Sequence, residues 1–214
     1  MVEKSFRRNS WKEYGEECDK IYKEILDYTQ KNNTKVDAII PILRGAMTLG
    51  SFLAYKLKIL KILPVQYKYF FVSKNKAELR QILFTPTKDY LKIKNPTFLV
   101  VEGDQCFGNT VLTVIKDLKK KFPGCKILHA ADCVDYKYKD VVKDVEACFY
   151  GRYTNHCEEL SKKECESAGI EFDSTIAPWE NEAEEEATVE GEQFIYEDLE
   201  ETKNNSKKKM EIAF

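Results

Sequence analysis

The strongest constraint on this chain is an alternation. Short apolar runs rich in β-branched and aromatic residues lie at 36–43 (VDAIIPIL), 62–73 (ILPVQYKYFFVS), 97–103 (TFLVVEG) and 126–137 (KILHAADCVDYK). Runs this apolar read as buried strands. Between them lie segments with helical spacing. In residues 10–31, Trp11, Tyr14, Cys18, Ile21, Ile25 and Tyr28 recur on one helical face, and Ser10 with Glu13 forms a capping-box pattern. Residues 49–59 and 109–122 read as two further helices, the second ended by Pro123-Gly124. Strands alternating with helices predict βαβ units: an α/β fold with a central, mostly parallel sheet flanked by helices. Residues 74–96 read as a hairpin or mobile excursion. Residues 145–151 read as a short edge strand, 152–169 as a helical excursion closed by Gly169, and 172–180 as extended. A small hood is expected near the termini.

The chain of 214 residues has room for one sizeable core. Its net charge of −2 hides an uneven distribution. Residues 1–178 carry a balance of +6 and residues 179–214 a balance of −8. A mildly basic domain (1–180) followed by an acidic tail (181–214) is the expected organisation. No apolar run reaches the roughly 18 residues of a membrane span, and the first residues hold no apolar signal core, so a cytoplasmic location is expected. Seven cysteines without a C-x-x-C pair read as reduced thiols. Cys148, His156, Cys157 and Cys165 match no familiar zinc spacing.

Two loops at predicted strand ends carry chemistry, because open α/β sheets bind ligands beyond the carboxyl ends of their strands. In IIPILRGAMTLG, Arg44 and Gly45 offer a guanidinium and an approachable backbone to an anion; the plain alternative is a turn glycine beside a surface arginine. In FLVVEGDQCFGNT, Glu102 ends a strand, and Gly108, Asn109 and Thr110 open a helix whose N–H groups suit a phosphate. Glu102 suits a ribose hydroxyl or a metal. The plain alternative here is an ordinary turn with an Asn/Thr cap.

In order and spacing, Trp11 and Tyr14, these two loops and the terminal APWE (177–180) resemble the purine phosphoribosyltransferases, most closely the xanthine/guanine/hypoxanthine branch, over about residues 8–180. The resemblance implies the type I phosphoribosyltransferase fold. It implies that Arg44 and Gly45 bind pyrophosphate, that Glu102, with Asp104, holds ribose and Mg²⁺, and that Gly108, Asn109 and Thr110 hold a 5′-phosphate. Lys137 would meet the purine, and a homodimer is common in that family. The departures are specific. The family's second acid is Gly103 here, its later aspartate is Cys106, its hydroxyl residue is Phe107, and the aromatic that stacks on the base is Ser174. A thiol is a poor general base, Phe107 adds bulk where a donor is expected, and one acid makes a weak Mg²⁺ site. The expectation is therefore a degenerate transferase, a pseudoenzyme that binds a purine nucleotide, phosphoribosyl diphosphate or a macromolecular partner. The alternative is an active enzyme that forms a purine nucleoside monophosphate. Restoring the loop with Gly103→Asp, Cys106→Asp and Phe107→Thr would separate the two.

The tail ends in KKKMEIAF. It reads either as a solvated, disordered segment or as a docking peptide. In the second reading Lys207, Lys208 and Lys209 meet acidic or phosphate groups, and Ile212 and Phe214 fill an apolar cleft, on a ribonucleoprotein such as the ribosome.

Overall fold

The computed structural model describes residues 6–73, 76–156, 160–170, 172 and 174–180. The tail residues Lys207, Lys208, Lys209, Ile212 and Phe214, and Cys157, lie outside the described residues. In chain order the elements are β1 (Phe6–Arg8), α1 (Trp11–Lys31), β2 (Ala38–Pro41), α2 (Met47–Lys56), β3 (Val65–Ser73), β4 (Lys76–Phe84), β5 (Thr97–Gln105), α3 (Asn109–Lys121), β6 (Lys126–Asp135), β7 (Ala147–Thr154), α4 (Lys162–Ala168) and β8 (Ser174–Ile176). The central sheet is parallel, in the order β2-β5-β6-β7. Single bridges, Ile39 to Ile62 and Ile42 to Val65, bring the start of β3 alongside β2 on its other side. The chain thus leaves β2 in one direction and returns through β5 in the other. Such a switch opens a crevice at the carboxyl ends of β2 and β5.

Alternation along the strands sorts the core into two faces. Ala38, Ile40, Phe98, Val100 and Ile127 pack with Val111, Val114, Ile115 and Leu118 of α3. Ile39, Leu99, Val101, Leu128 and Ala130 pack with Tyr14, Cys18, Ile21 and Ile25 of α1 and with Leu49 and Leu53 of α2. Each fully buried Leu, Ile or Val contributes roughly 1.5–3 kcal/mol relative to exposure, so both faces are fixed by burial. The predicted capping box is present: Ser10 Oγ accepts from the Glu13 N–H (3.2 Å), and Glu13 Oε2 accepts from the Ser10 N–H (2.8 Å). Among the described residues no helix is long and apolar enough to cross a membrane.

Of the two readings of 74–96, hairpin or mobile excursion, the first part takes the hairpin, β4 pairing antiparallel with β3. Two expectations change. The edge strand expected at 145–151 runs on to Thr154, because Cys133, Val134 and Asp135 of β6 continue to offer it partners. The helix expected over 152–169 is confined to Lys162–Ala168, started by a Ser161/Glu164 capping box and ended by Gly169 at φ +69°. The hood brings together segments far apart in the chain: β1 and β8 pair in parallel, Phe6 opposite Ser174 and Arg8 opposite Ile176.

Candidate functional site: an anion pocket at the sheet switch point

A cavity of about 270 Å³ opens at the carboxyl ends of the central strands. The β2–α2 loop contributes Arg44 and Gly45, β5 contributes Glu102, Gly103 and Asp104, and Thr110 comes from the first turn of α3. Five of the residues singled out from the sequence, Arg44, Gly45, Glu102, Asp104 and Thr110, therefore share one wall. Three others do not line it. Gly108 stands at the N-cap of α3 with φ +77°, where an added Cβ would lie 2.6 Å from Val141 Cγ2; it shapes the turn. Asn109 is exposed. Lys137 lies in a 3-10 turn (Tyr136–Tyr138) after β6, its N–H donating to Asp135 Oδ1 at 3.0 Å.

Gly103 is required by packing. On β5 the odd-numbered residues face α1 and α2, so residue 103 meets the loop that leads into α2. A Cβ on Gly103 would lie 2.8 Å from the Gly45 carbonyl carbon and 3.0 Å from its oxygen. No acid fits there without moving the Arg44-Gly45 loop. The peptide bond joining Leu43 to Arg44 in that loop is cis.

Phe107 also behaves differently from the expectation that its bulk enters the phosphate loop. Its ring packs edge-on against Tyr138, centroids 4.8 Å apart, and it is 51 % exposed. It is absent from the pocket wall.

Lys68, Asp132 and Arg152 line the pocket without having been singled out in the sequence, and His156, weighed there only for a zinc spacing with three cysteines, lines it too. Their signal was charge inside strand-like runs, a lysine within VQYKYFF and an aspartate within HAADCV. Lys68 lies near Arg44, and its pKa is lowered by burial first and by the Arg44 charge second. Two cations that repel one another across a pocket are relieved by a bound anion. Asp104, Cys133 and Arg152 form a lateral row across β5, β6 and β7. Arg152 Nε lies 3.4 Å from Glu17 Oε1 of α1. Asp132 is buried; burial, then the neighbouring Glu17 carboxylate, pushes its carboxyl well above the usual range, against the pull of Arg152.

Glu102 is only 9 % exposed, and its Oε2 has no hydrogen-bond partner among the described residues. Burial, then the charge of Asp104, pushes its carboxyl up to about 8. In its protonated form, which burial favours, it is able to donate to a ligand oxygen. The expected Mg²⁺ pair of Glu102 with Asp104 does not fit this arrangement. Asp104 stands beside softer donors, His156 Nδ1 at 3.6 Å and Cys106 Sγ at 3.9 Å, whereas Mg²⁺ takes hard oxygen ligands in strict geometry.

Trp179 closes the pocket from the hood. It packs on Tyr14 (4.7 Å, edge-to-face) and Trp11 (5.8 Å) while lining the cavity. Glu180 locks this turn: its Oε2 accepts from the Ala177 N–H at 2.7 Å, and its carbonyl accepts from Arg8 at 2.9 Å.

The fold matches solved structures. A xanthine-guanine-hypoxanthine phosphoribosyltransferase from Helicobacter pylori superposes at a TM-score of 0.60 with 17 % identity, over 86 % of this chain and 99 % of the other. A purine phosphoribosyltransferase from Pyrococcus horikoshii does so at 0.58 with 16 % identity, over 82 % and 94 %. This chain has the phosphoribosyltransferase fold. A third similar structure with this fold is a hypothetical protein from Neisseria gonorrhoeae with bound ppGpp, at 0.62 and 18 % identity, over 90 % of this chain and 100 % of the other. No family model matches the sequence of this phosphoribosyltransferase-fold chain, and no curated protein does.

Proposed function

We propose that this phosphoribosyltransferase-fold chain binds a purine nucleotide through its phosphates and does not carry out efficient phosphoribosyl transfer. The observation that carries the reading is the Gly103–Gly45 contact. It removes the second acid of the ribose- and metal-binding pair and leaves no room to regain it. The pocket lining supports anion binding: Arg44, Lys68 and Arg152 supply positive charge and Thr110 a hydroxyl. The Neisseria gonorrhoeae structure, with ppGpp bound to the same fold, supports a purine nucleotide as the ligand class. Charge-assisted contacts from guanidinium groups give phosphate affinity without any chemistry on the ligand.

The alternative is a working transferase that joins a purine base to phosphoribosyl diphosphate. It is favoured by the assembly of Arg44, Glu102 and Thr110 in one pocket and by the two transferases among the similar structures. Calorimetric titration of the full chain tests both. Micromolar binding of ppGpp or a purine nucleoside monophosphate, with no pyrophosphate released from phosphoribosyl diphosphate and base, is the expected result. Turnover with any purine base overturns it. Binding to none of these ligands overturns both readings.

A further inference from the structure

We infer that Asp104, Cys106 and His156 form a zinc site at the mouth of the pocket. One ligand atom from each lies within 4.8 Å of the others. His156 Nδ1 is 3.6 Å from Asp104 Oδ2, and Cys106 Sγ is 3.9 Å from the same oxygen. Zinc bonds of about 2.3 Å to sulfur and about 2.0–2.2 Å to nitrogen or oxygen give tetrahedral edges of about 3.4–3.6 Å. Two of the three edges therefore need to contract by only a few tenths of an ångström.

The fold brings these donors together from separate places. Asp104 and Cys106 lie at the carboxyl end of β5 and in the loop beyond it, and His156 follows β7. The lateral row Asp104–Cys133–Arg152 fixes the two strand ends at one level, so the residues just past them converge. One thiolate, one imidazole and one carboxylate form a mixed donor set of borderline softness. Such a set suits Zn²⁺ and discriminates against Mg²⁺ and Ca²⁺. Cys106, one of the residues that depart from the transferase loop, supplies the soft ligand.

Three protein ligands leave a fourth position open. Asp104 and His156 line the pocket with Arg44, Lys68 and Glu102, so that position faces the anion cavity. Glu102, buried and with no partner for its Oε2 among the described residues, lines the same cavity. A phosphate oxygen or a water is the chemistry that completes the coordination. The site stands whether or not the pocket takes a nucleotide.

The test is titration of the reduced full-length chain with Co²⁺ as a spectroscopic stand-in, followed by competition with Zn²⁺. The expected result is a thiolate-to-cobalt charge-transfer band and intense visible bands of a tetrahedral ion, both displaced by Zn²⁺. Cys106→Ser should abolish the charge-transfer band, and His156→Gln should weaken Zn²⁺ binding at least about tenfold. Cys125→Ser, remote from the site, should change neither. Because Zn²⁺ bound to the native state raises its stability, Zn²⁺ should raise the Tm of the wild type and not of Cys106→Ser. That readout also shows that the variant is folded. A charge-transfer band that survives Cys106→Ser, or octahedral cobalt in the wild type, overturns the proposal.

Discussion

Gly103 and Gly45 touch backbone to backbone across the switch point of the sheet: the Cα of Gly103 lies 3.7 Å from where a Cβ on Gly45 would stand, and a Cβ on Gly103 would overlap the Gly45 carbonyl carbon at 2.8 Å. The relation is asymmetric. Position 45 tolerates a Cβ in ordinary contact, and position 103 does not.

Gly103→Ala should therefore destabilise the fold by about 1–3 kcal/mol, the usual consequence of overpacking. Gly103→Asp should do the same and shift the Arg44 loop. Combining Gly103→Asp with Cys106→Asp and Phe107→Thr is then expected to lower nucleotide affinity and to create no transferase activity. Urea unfolding and ligand titration of the single variants check this; a stable Gly103→Asp variant with new turnover would show the reasoning to be wrong.

His129 gives a pH prediction. It is fully buried, with Nε2 2.8 Å from Gln105 Oε1 and Nδ1 3.3 Å from the Val100 carbonyl oxygen. Burial holds its pKa down to about 4, from 6.5. Between these values the unfolded chain binds the extra proton, so stability falls on acidification from about pH 6.5 to 4. The contribution is roughly 3 kcal/mol in total. Chemical denaturation at several pH values, with an imidazole NMR titration, reads it directly. A His129 resonance titrating near pH 6.5 in the folded state would refute it.

Glu102 has the opposite sign. Its folded pKa of about 8 lies above the ordinary 4.5, so its contribution is complete below about pH 4.5 and is lost as pH rises toward 8. Glu102→Gln removes that slope. The difference in unfolding free energy between wild type and variant should move in the variant's favour from pH 5 to pH 8.5. Nucleotide affinity near neutral pH should be kept in the same variant, because the glutamine amide still offers a buried donor to the pocket.

Phe107→Ala should weaken the fold by about 0.5–1.5 kcal/mol through loss of the edge-to-face contact with Tyr138. Ligand affinity should stay within about twofold of the wild type, because the ring lies off the pocket wall; in energy that is within about 0.4 kcal/mol. Calorimetry on the variant decides whether Phe107 occludes the loop.

Truncation after Glu180 should leave both Tm and nucleotide affinity unchanged. Glu180 closes its own turn with Ala177 and is held by Arg8, so the described residues end on a tied-down residue. A lowered Tm would show that residues 181–214 belong to the domain.

The sequence by itself determined the alternation of strands and helices, the two-faced core and the identity of the two loops. Each depends on information local to a segment: β-branched apolar runs, a helical period, a Ser10/Glu13 capping pair, glycines where a turn needs them. That Arg44, Glu102 and Thr110 share a wall also followed from the rule that strand ends form the site. Only the tertiary structure decided the rest. Lys68, Arg152 and His156 reach the pocket from a hairpin and from the β7 edge, at separations no local pattern encodes. Gly103 reads in sequence as a lost acid, and in the fold as the one residue that lets the β2 loop close on β5. Phe107 reads as an obstruction, and its ring turns to Tyr138. In each case the side chain's direction is set by its partner across the fold, and a partner distant in sequence leaves no local signature.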